Sequence, residues 1–189
     1  MKIIKTEIPD VLIIKPDVYR DNRGYFFEVW NENEFKKAGI TNHWIQDNES
    51  KSSYLTIRGL HYQEPPYTQA KLVRVIKGTV IDVAVDIRKD SPTYGKHVAV
   101  ELSHINKKQL YIPRGFAHGF IVRSNQAIFC YKCDNIYMPS AERGIKYNDK
   151  TLAIDWGVEG INEEVLPISD KDKKLPTFKN IKPIEIERN

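Results

Sequence analysis

His61 stands in the run Arg58-Gly59-Leu60-His61-Tyr62-Gln63, where the adjacent glycine lets a ligand approach the backbone closely. An imidazole titrates near neutrality, so a histidine placed there is a candidate for moving a proton, with a satisfied core or surface histidine as the plainer alternative. Tyr131 shares strand parity with Phe129 and Cys133, on an apolar face where a hydroxyl needs a partner. Lys71 has the parity of Val73 and Val75, which directs its ammonium inward. That is costly unless a carboxylate, or a substrate oxygen acquiring charge, answers it. Cys130 and Cys133 form a CxxC, but strand residues three apart point to opposite faces and no second pair completes a zinc site. Both are expected to fill core. His97 and His104 lie in polar, strand-edge contexts and read as surface residues.

The elements that must position these groups are strands. Residues 71–76 and 79–88 are β-rich runs, and Lys77-Gly78 between them reads as a hairpin turn. In the second run Ile81, Val83, Val85 and Ile87 make an apolar face, and Asp82 and Asp86 lie on the other. Val98, Val100 and Leu102 alternate with His97, Ala99 and Glu101, and residues 110–112, 119–122 and 127–133 give further short strands. Helical signal is confined to a turn capped by Asn31, running through Glu34, Phe35 and Lys37 and stopped by Gly39. Many short strands at close spacing predict an all-β sandwich or closed barrel in one domain, residues 1–189. The tail past Asp155 is expected to pack over the outside or across a mouth.

Composition narrows the partners. Of 189 residues 41% are hydrophobic and 29% charged, the balance of a globular protein, and a net charge of +4 is too small to drive disorder. The 29 basic residues are interspersed with 25 acidic ones, and the lysine-rich stretch from Lys171 to Lys182 is diluted by Asp170, Asp172 and Glu185. This fits a local pocket for an anionic small molecule better than a nucleic-acid surface. No apolar run approaches the roughly 18 residues of a membrane span. The opening MKIIKTEIPD has no secretory core. Two cysteines give no disulfide framework, so the expected compartment is the reducing cytoplasm.

Pro113-Arg114-Gly115-Phe116-Ala117-His118 matches the PxGxxH pattern of the second cupin motif, in which the histidine binds a metal. The first motif asks for HxH, and here it reads His61-Tyr62-Gln63-Glu64, with Gln63 where the second histidine would stand. Too few ligands converge, so the implied fold is a cupin-like barrel without a metal.

Over nearly its whole length the sequence resembles the dTDP-4-dehydrorhamnose 3,5-epimerase family. The resemblance is carried by Asp21-Asn22-Arg23-Gly24-Tyr25-Phe26-Phe27-Glu28, Gln46-Asp47-Asn48-Glu49-Ser50, the His61 run and residues 71–75, 82–88 and 112–120. It continues through Tyr131-Lys132, Asn148-Asp149, Ile154-Asp155-Trp156 and Ile168-Ser169-Asp170-Lys171-Asp172. It implies an all-β, cupin-like jelly roll with short peripheral helices. The implied enzyme is a homodimer that epimerises a dTDP-linked 4-keto-6-deoxyhexose, with no cofactor and no metal. On the matching positions, His61 is the implied base, Asp172 the carboxylate that orients it, Tyr131 the proton donor and Lys71 the cation beside the reacting sugar. Arg23, Glu28, Gln46, Asn48, Arg58, His118, Glu142 and Lys171 fall on substrate-contacting positions. Arg114 stands where many relatives carry Glu, a change expected to affect surface charge only. Residues 157–165 also depart from the usual pattern, on the path into Asp172. Three alternatives remain open: a single-site 3- or 5-epimerase on a related nucleotide sugar, a metal-dependent cupin and a non-catalytic nucleotide-sugar binding module.

Overall fold

A computed structural model describes residues 1–186. Six strands form one antiparallel sheet in the order β1 (Lys2–Lys5), β2 (Leu12–Lys15), β10 (Gln109–Ile112), β7 (Lys71–Lys77), β12 (Gln126–Cys133) and β5 (Gln46–Ser53). Five form a second, in the order β13 (Glu142–Gly144), β6 (Ile57–Gln63), β11 (Phe116–Val122), β8 (Thr79–Asp86) and β9 (His97–Ser103). A separate hairpin, β3 (Tyr19–Asp21) and β4 (Gly24–Phe26), stands apart from both. The helices are short: α1 (Glu32–Lys37), capped by the Asn31 side chain, and α2 (Asp170–Lys173), capped by Ser169. This is the cupin-like jelly roll.

The two sheets face each other across a core that alternation dictates. Val73 and Val75, Leu110 and Ile112, and Ala127 and Phe129 come from one sheet; Val80 and Ala84, Val98 and Val100, and Phe116 and Phe120 come from the other. Burying a side chain of this kind stabilises by roughly 1.5–3 kcal/mol, so this cluster holds the two sheets together. The back of the five-stranded sheet is covered by the C-terminal tail, whose Trp156, Leu166, Ile168 and Phe178 pack on Leu60, Val83, Val85 and Ile121. The tail thus covers the outside, one of the two placements expected.

Two expectations need correction, and one face of β8 gains a place. Lys77-Gly78 is no hairpin: β7 pairs with β10 and β12, whereas β8 pairs with β9 and β11, so the chain crosses from one sheet to the other. Gly78 serves that crossing at φ +84°, where an added Cβ would lie 2.1 Å from the carbonyl of Gln126. The carboxylate-bearing face of β8 lies inside the fold. Asp82 and Asp86 are both 0% exposed, Asp86 held by Arg88, Ser91 and Thr93, and Asp82 turned into the lumen against His118. Arg114 does more than alter surface charge, because its Nε donates at 2.9 Å to the buried carboxylate of Asp134, which also accepts from Asn42 and the Ala70 amide.

Candidate active site

A cavity of about 320 Å³ opens between the two sheets, lined by Gln46, Asn48, His61, Gln63, Lys71, Tyr131, Cys133, Tyr137 and Glu142, among others. The sheets contribute different chemistry. β6 supplies His61 from one wall; β7 and β12 supply Lys71 and Tyr131 from the wall opposite.

His61 reaches the lumen because β6 is irregular. His61 pairs in register with His118 and Arg58 with Phe120, with a register shift between the two rungs, so residues three apart face the same way. Gly59 makes this possible: its φ is +99°, and an added Cβ would sit 2.5 Å from the His118 carbonyl. Its amide donates to Asp172 Oδ2 at 3.2 Å, while Asp172 Oδ1 meets His61 Nε2 at 2.7 Å.

Asp172 is 4% exposed and lies 111 residues from its partner in the chain. The buried Leu166 and Ile168 and the Ser169 cap deliver it to the site. Burial alone would raise its pKa, but the hydrogen bond and charge of His61, with the Gly59 amide and Ser169, outweigh burial and hold the carboxyl below its ordinary range. An ionised carboxylate only accepts, which places the hydrogen on Nε2 of His61 and leaves Nδ1 as the basic atom.

On the opposite wall the Lys71 ammonium lies 5.9 Å from the centre of the Tyr131 ring. Burial lowers the Lys71 pKa, partly countered by Cys133, Asp82 and Glu142. The same burial, helped by Cys133, raises that of the Tyr131 hydroxyl, so Tyr131 keeps its proton at neutral pH. An anion arriving beside Lys71 therefore meets a poorly solvated cation, where attraction is strong.

The polar rim brings together several other expected residues. Gln46 Nε2 donates to Asn48 Oδ1 at 2.8 Å, and Glu142 accepts from both Lys171 and the Tyr137 hydroxyl. Arg58 is held on Ser52 and the Lys51 carbonyl and is close enough to Tyr131 to pull its pKa down. Three expected contacts lie elsewhere. His118 is buried beneath the site with Nε2 on Asp82, and burial lowers its pKa. Arg23 sits on the β3–β4 hairpin, its side chain 86% exposed and paired with Asp21; Glu28 is exposed and accepts from Asn31.

Cys133 and Tyr137 were missed as site residues. The expected opposition of the two cysteines holds, yet neither is plain core: Cys130 is half-buried with its thiol on Glu49, and Cys133 forms part of the cavity floor. Burial pushes both thiols up to about 11, so neither is a ready thiolate. Tyr137 lies in a loop without periodicity; its one signal is an aromatic within the apolar Ile136-Tyr137-Met138 run before Pro139. The three positions of the cupin pattern are each engaged by protein: His61 by Asp172, His118 by Asp82 and Gln63 by backbone amide and carbonyl groups. Among the described residues no cluster of three or more His, Cys, Asp or Glu could hold a metal ion.

Residues 5–180 match the family model described as dTDP-4-dehydrorhamnose 3,5-epimerase. The chain is 54% identical to the dTDP-4-dehydrorhamnose 3,5-epimerase of Shigella flexneri over 91% of its length and 93% of the relative's. It superposes with a TM-score of 0.92 on the dTDP-6-deoxy-D-glucose-3,5-epimerase of Legionella pneumophila, solved in complex with dTDP-4-keto-L-rhamnose, at 44% identity and 99% coverage of each chain. A 3'-monoepimerase from Streptomyces bikiniensis in complex with dTDP-quinovose is more distant, at 29% identity and a TM-score of 0.82, with 92% of this chain and 86% of that one covered. The family match spans residues 5–180, and the likeness in sequence and in fold extends along nearly the whole chain, so the chain belongs to the dTDP-4-dehydrorhamnose 3,5-epimerase family.

Proposed function

We propose that this cavity takes dTDP-4-dehydro-6-deoxy-D-glucose and inverts carbons 3 and 5, giving dTDP-4-dehydro-L-rhamnose for dTDP-L-rhamnose synthesis. The observation that carries the reading is the placement of a candidate base and a candidate acid on opposing sheets. The hydrogens at carbons 3 and 5 are acidic because each carbon neighbours the 4-keto group. His61 Nδ1 takes one of them, and the electron pair of the broken C–H bond moves to the carbonyl oxygen as an enolate. Lys71 faces that oxygen, and a preorganised charge there is worth roughly 3 kcal/mol. Asp172 fixes the His61 tautomer and stabilises the imidazolium. Tyr131 then returns a proton to the same carbon from the other face, and solvent exchange resets both groups. Protons alone move, so the reaction calls for neither an oxidant nor a reductant. Gln46, Asn48, Arg58, Glu142 and Lys171 are proposed to bind the nucleotide sugar, and guanidinium groups suit its pyrophosphate.

Arg23 and Glu28 fit the same substrate if the chain works as a homodimer. The β3–β4 hairpin that carries Arg23 exposes Tyr19, Tyr25 and Phe26 by 66%, 54% and 68%, an apolar surface that a second copy would cover while inserting Arg23 and Glu28 into its site. Sedimentation at twice the chain mass, lost on Phe26→Asp, supports this; a monomer at working concentration rules it out. Residues 1–189 are proposed to act as one domain. The two unpaired cysteines favour a cytoplasmic enzyme, which cell fractionation checks. No helix among the described residues is long and apolar enough to cross a membrane.

Incubation with substrate in deuterated water tests the activity. Deuterium at both carbons 3 and 5 of the product is expected. Label at one carbon only would make the chain a single-site epimerase, and no label would end the epimerase reading.

A further inference from the structure

Gln63 is 5% exposed, and its whole carboxamide is used. Nε2 donates to the Tyr67 carbonyl at 2.7 Å and to the Ile136 carbonyl at 3.0 Å, while Oε1 accepts from the Met138 amide at 2.7 Å. Ile136 and Met138 flank Tyr137, so one side chain grips the backbone on both sides of that residue in the way a neighbouring strand would. Gln63 is also the register partner of Glu142, and Glu142 Oε2 accepts from the Tyr137 hydroxyl at 2.7 Å. The circuit closes: Gln63 holds the peptide groups around Tyr137, and the strand opposite Gln63 holds its tip. Nearby amides reinforce the join, with Gln69 donating to the Asn135 carbonyl and Asn135 to the carbonyls of Pro66 and Thr68. Tyr137 is otherwise a loop residue, 49% exposed at the rim of the cavity. A loop carrying a binding wall loses affinity through its own disorder unless something fixes it beforehand.

We propose that Gln63 is a positioning residue for substrate binding: its carboxamide brackets Tyr137 and, with Glu142, sets one wall of the cavity in place before the substrate arrives. The proposal rests on the epimerase reading for its kinetic readout and on the backbone geometry for its structural one. Gln63→Leu keeps most of the side-chain volume and removes all three hydrogen bonds. With a folded variant, KM is expected to rise about tenfold while kcat stays within about threefold, because the proton-transfer groups lie elsewhere. Since Gln63 acts through Tyr137, adding Gln63→Leu to Tyr137→Ala should raise KM by less than about twofold more. An additive cycle, an unchanged KM, or a fall in kcat at constant KM overturns the proposal. If Gln63→Leu does not fold, Gln63→Glu replaces it. The carboxylate keeps the acceptor for Met138 and loses the donors, and protonation restores one donor. KM relative to the parent protein should then improve as pH falls through the titration of the new carboxyl; a ratio flat with pH counts against the bracket. Amide hydrogen exchange reads the bracket without turnover, and residues 136–138 should exchange at least about tenfold faster in either variant. Unchanged exchange refutes the bracket, whereas faster exchange in a protein that never epimerises the sugar refutes the proposed activity and leaves the bracket standing.

Discussion

His61→Ala is expected to lower epimerisation by at least about 10³-fold while nucleotide-sugar binding survives. The imidazole is proposed to take the proton, while the groups suited to pyrophosphate and sugar are separate residues: Arg58 three positions earlier on β6, Gln46 and Asn48 on β5, Glu142 on β13. Calorimetric titration with dTDP, alongside product formation, separates the two losses. A variant with a near-normal rate, or one that simply fails to bind, contradicts the division. Asp172→Asn should follow in the same direction with a smaller loss, since the amide no longer fixes the tautomer. The dyad also predicts a stability signature. Because Asp172 has a depressed folded-state pKa, it stabilises the fold above its unfolded value of about 4, and that contribution is lost as pH falls through the folded value. Removing His61 takes away the main group holding that pKa down, so the stability gap between parent and His61→Ala should be widest near neutrality and close in acid.

What the sequence displayed depended on whether a strand had one apolar face. β7, β8 and β12 were legible because their lumen-facing or tail-facing positions alternate, and the same parity put Lys71 and Tyr131 inside. β5 was not, because its run Gln-Asp-Asn-Glu-Ser-Lys-Ser-Ser is polar throughout: Gln46 and Asn48 face the cavity, Asp47 and Glu49 the outside. A strand that lines a wet site carries no hydrophobic period. β6 was hidden by its irregular rung, which breaks the period between Arg58 and His61. The sequence left the surroundings of the Asp82 face open for a related reason. Carboxylates opposite an apolar face normally mark solvent, but β8 is central in its sheet and covered on both sides, so that face is lumen.

The site was legible to different depths. His61 and Lys71 could be suspected from local pattern, whereas nothing local connects His61 to Asp172, and only the family resemblance paired them. Gln63 was visible as a missing metal ligand, but its task depends on the loop folding back to present Ile136 and Met138, a contact across 73 residues or more. Arg114 is similar. Its substitution was plain in the sequence, and its meaning needed the buried Asp134 beside it.

Tyr131→Phe keeps the ring, its packing on Phe129 and the strand, and removes only the hydroxyl. A hydroxyl that merely satisfied a core contact would cost about 1 kcal/mol of stability and leave turnover intact. A proton donor is different. Without it the enolate formed by His61 can be reprotonated only from the side it left, so net inversion should fall about 100-fold or more while exchange with solvent persists. The raised pKa of Tyr131 fits a group that holds its proton until a carbanion calls for it. The most direct test is therefore stereochemical: substrate is incubated with Tyr131→Phe in deuterated water, and deuterium content and configuration are read at carbons 3 and 5 by nuclear magnetic resonance. The two-wall mechanism predicts deuterium entering with retained configuration, at a rate well above that of inversion. Inversion at close to the parent rate, with label arriving only in inverted product, would remove Tyr131 from the chemistry and contradict the proposal that opposite sheets supply the base and the acid.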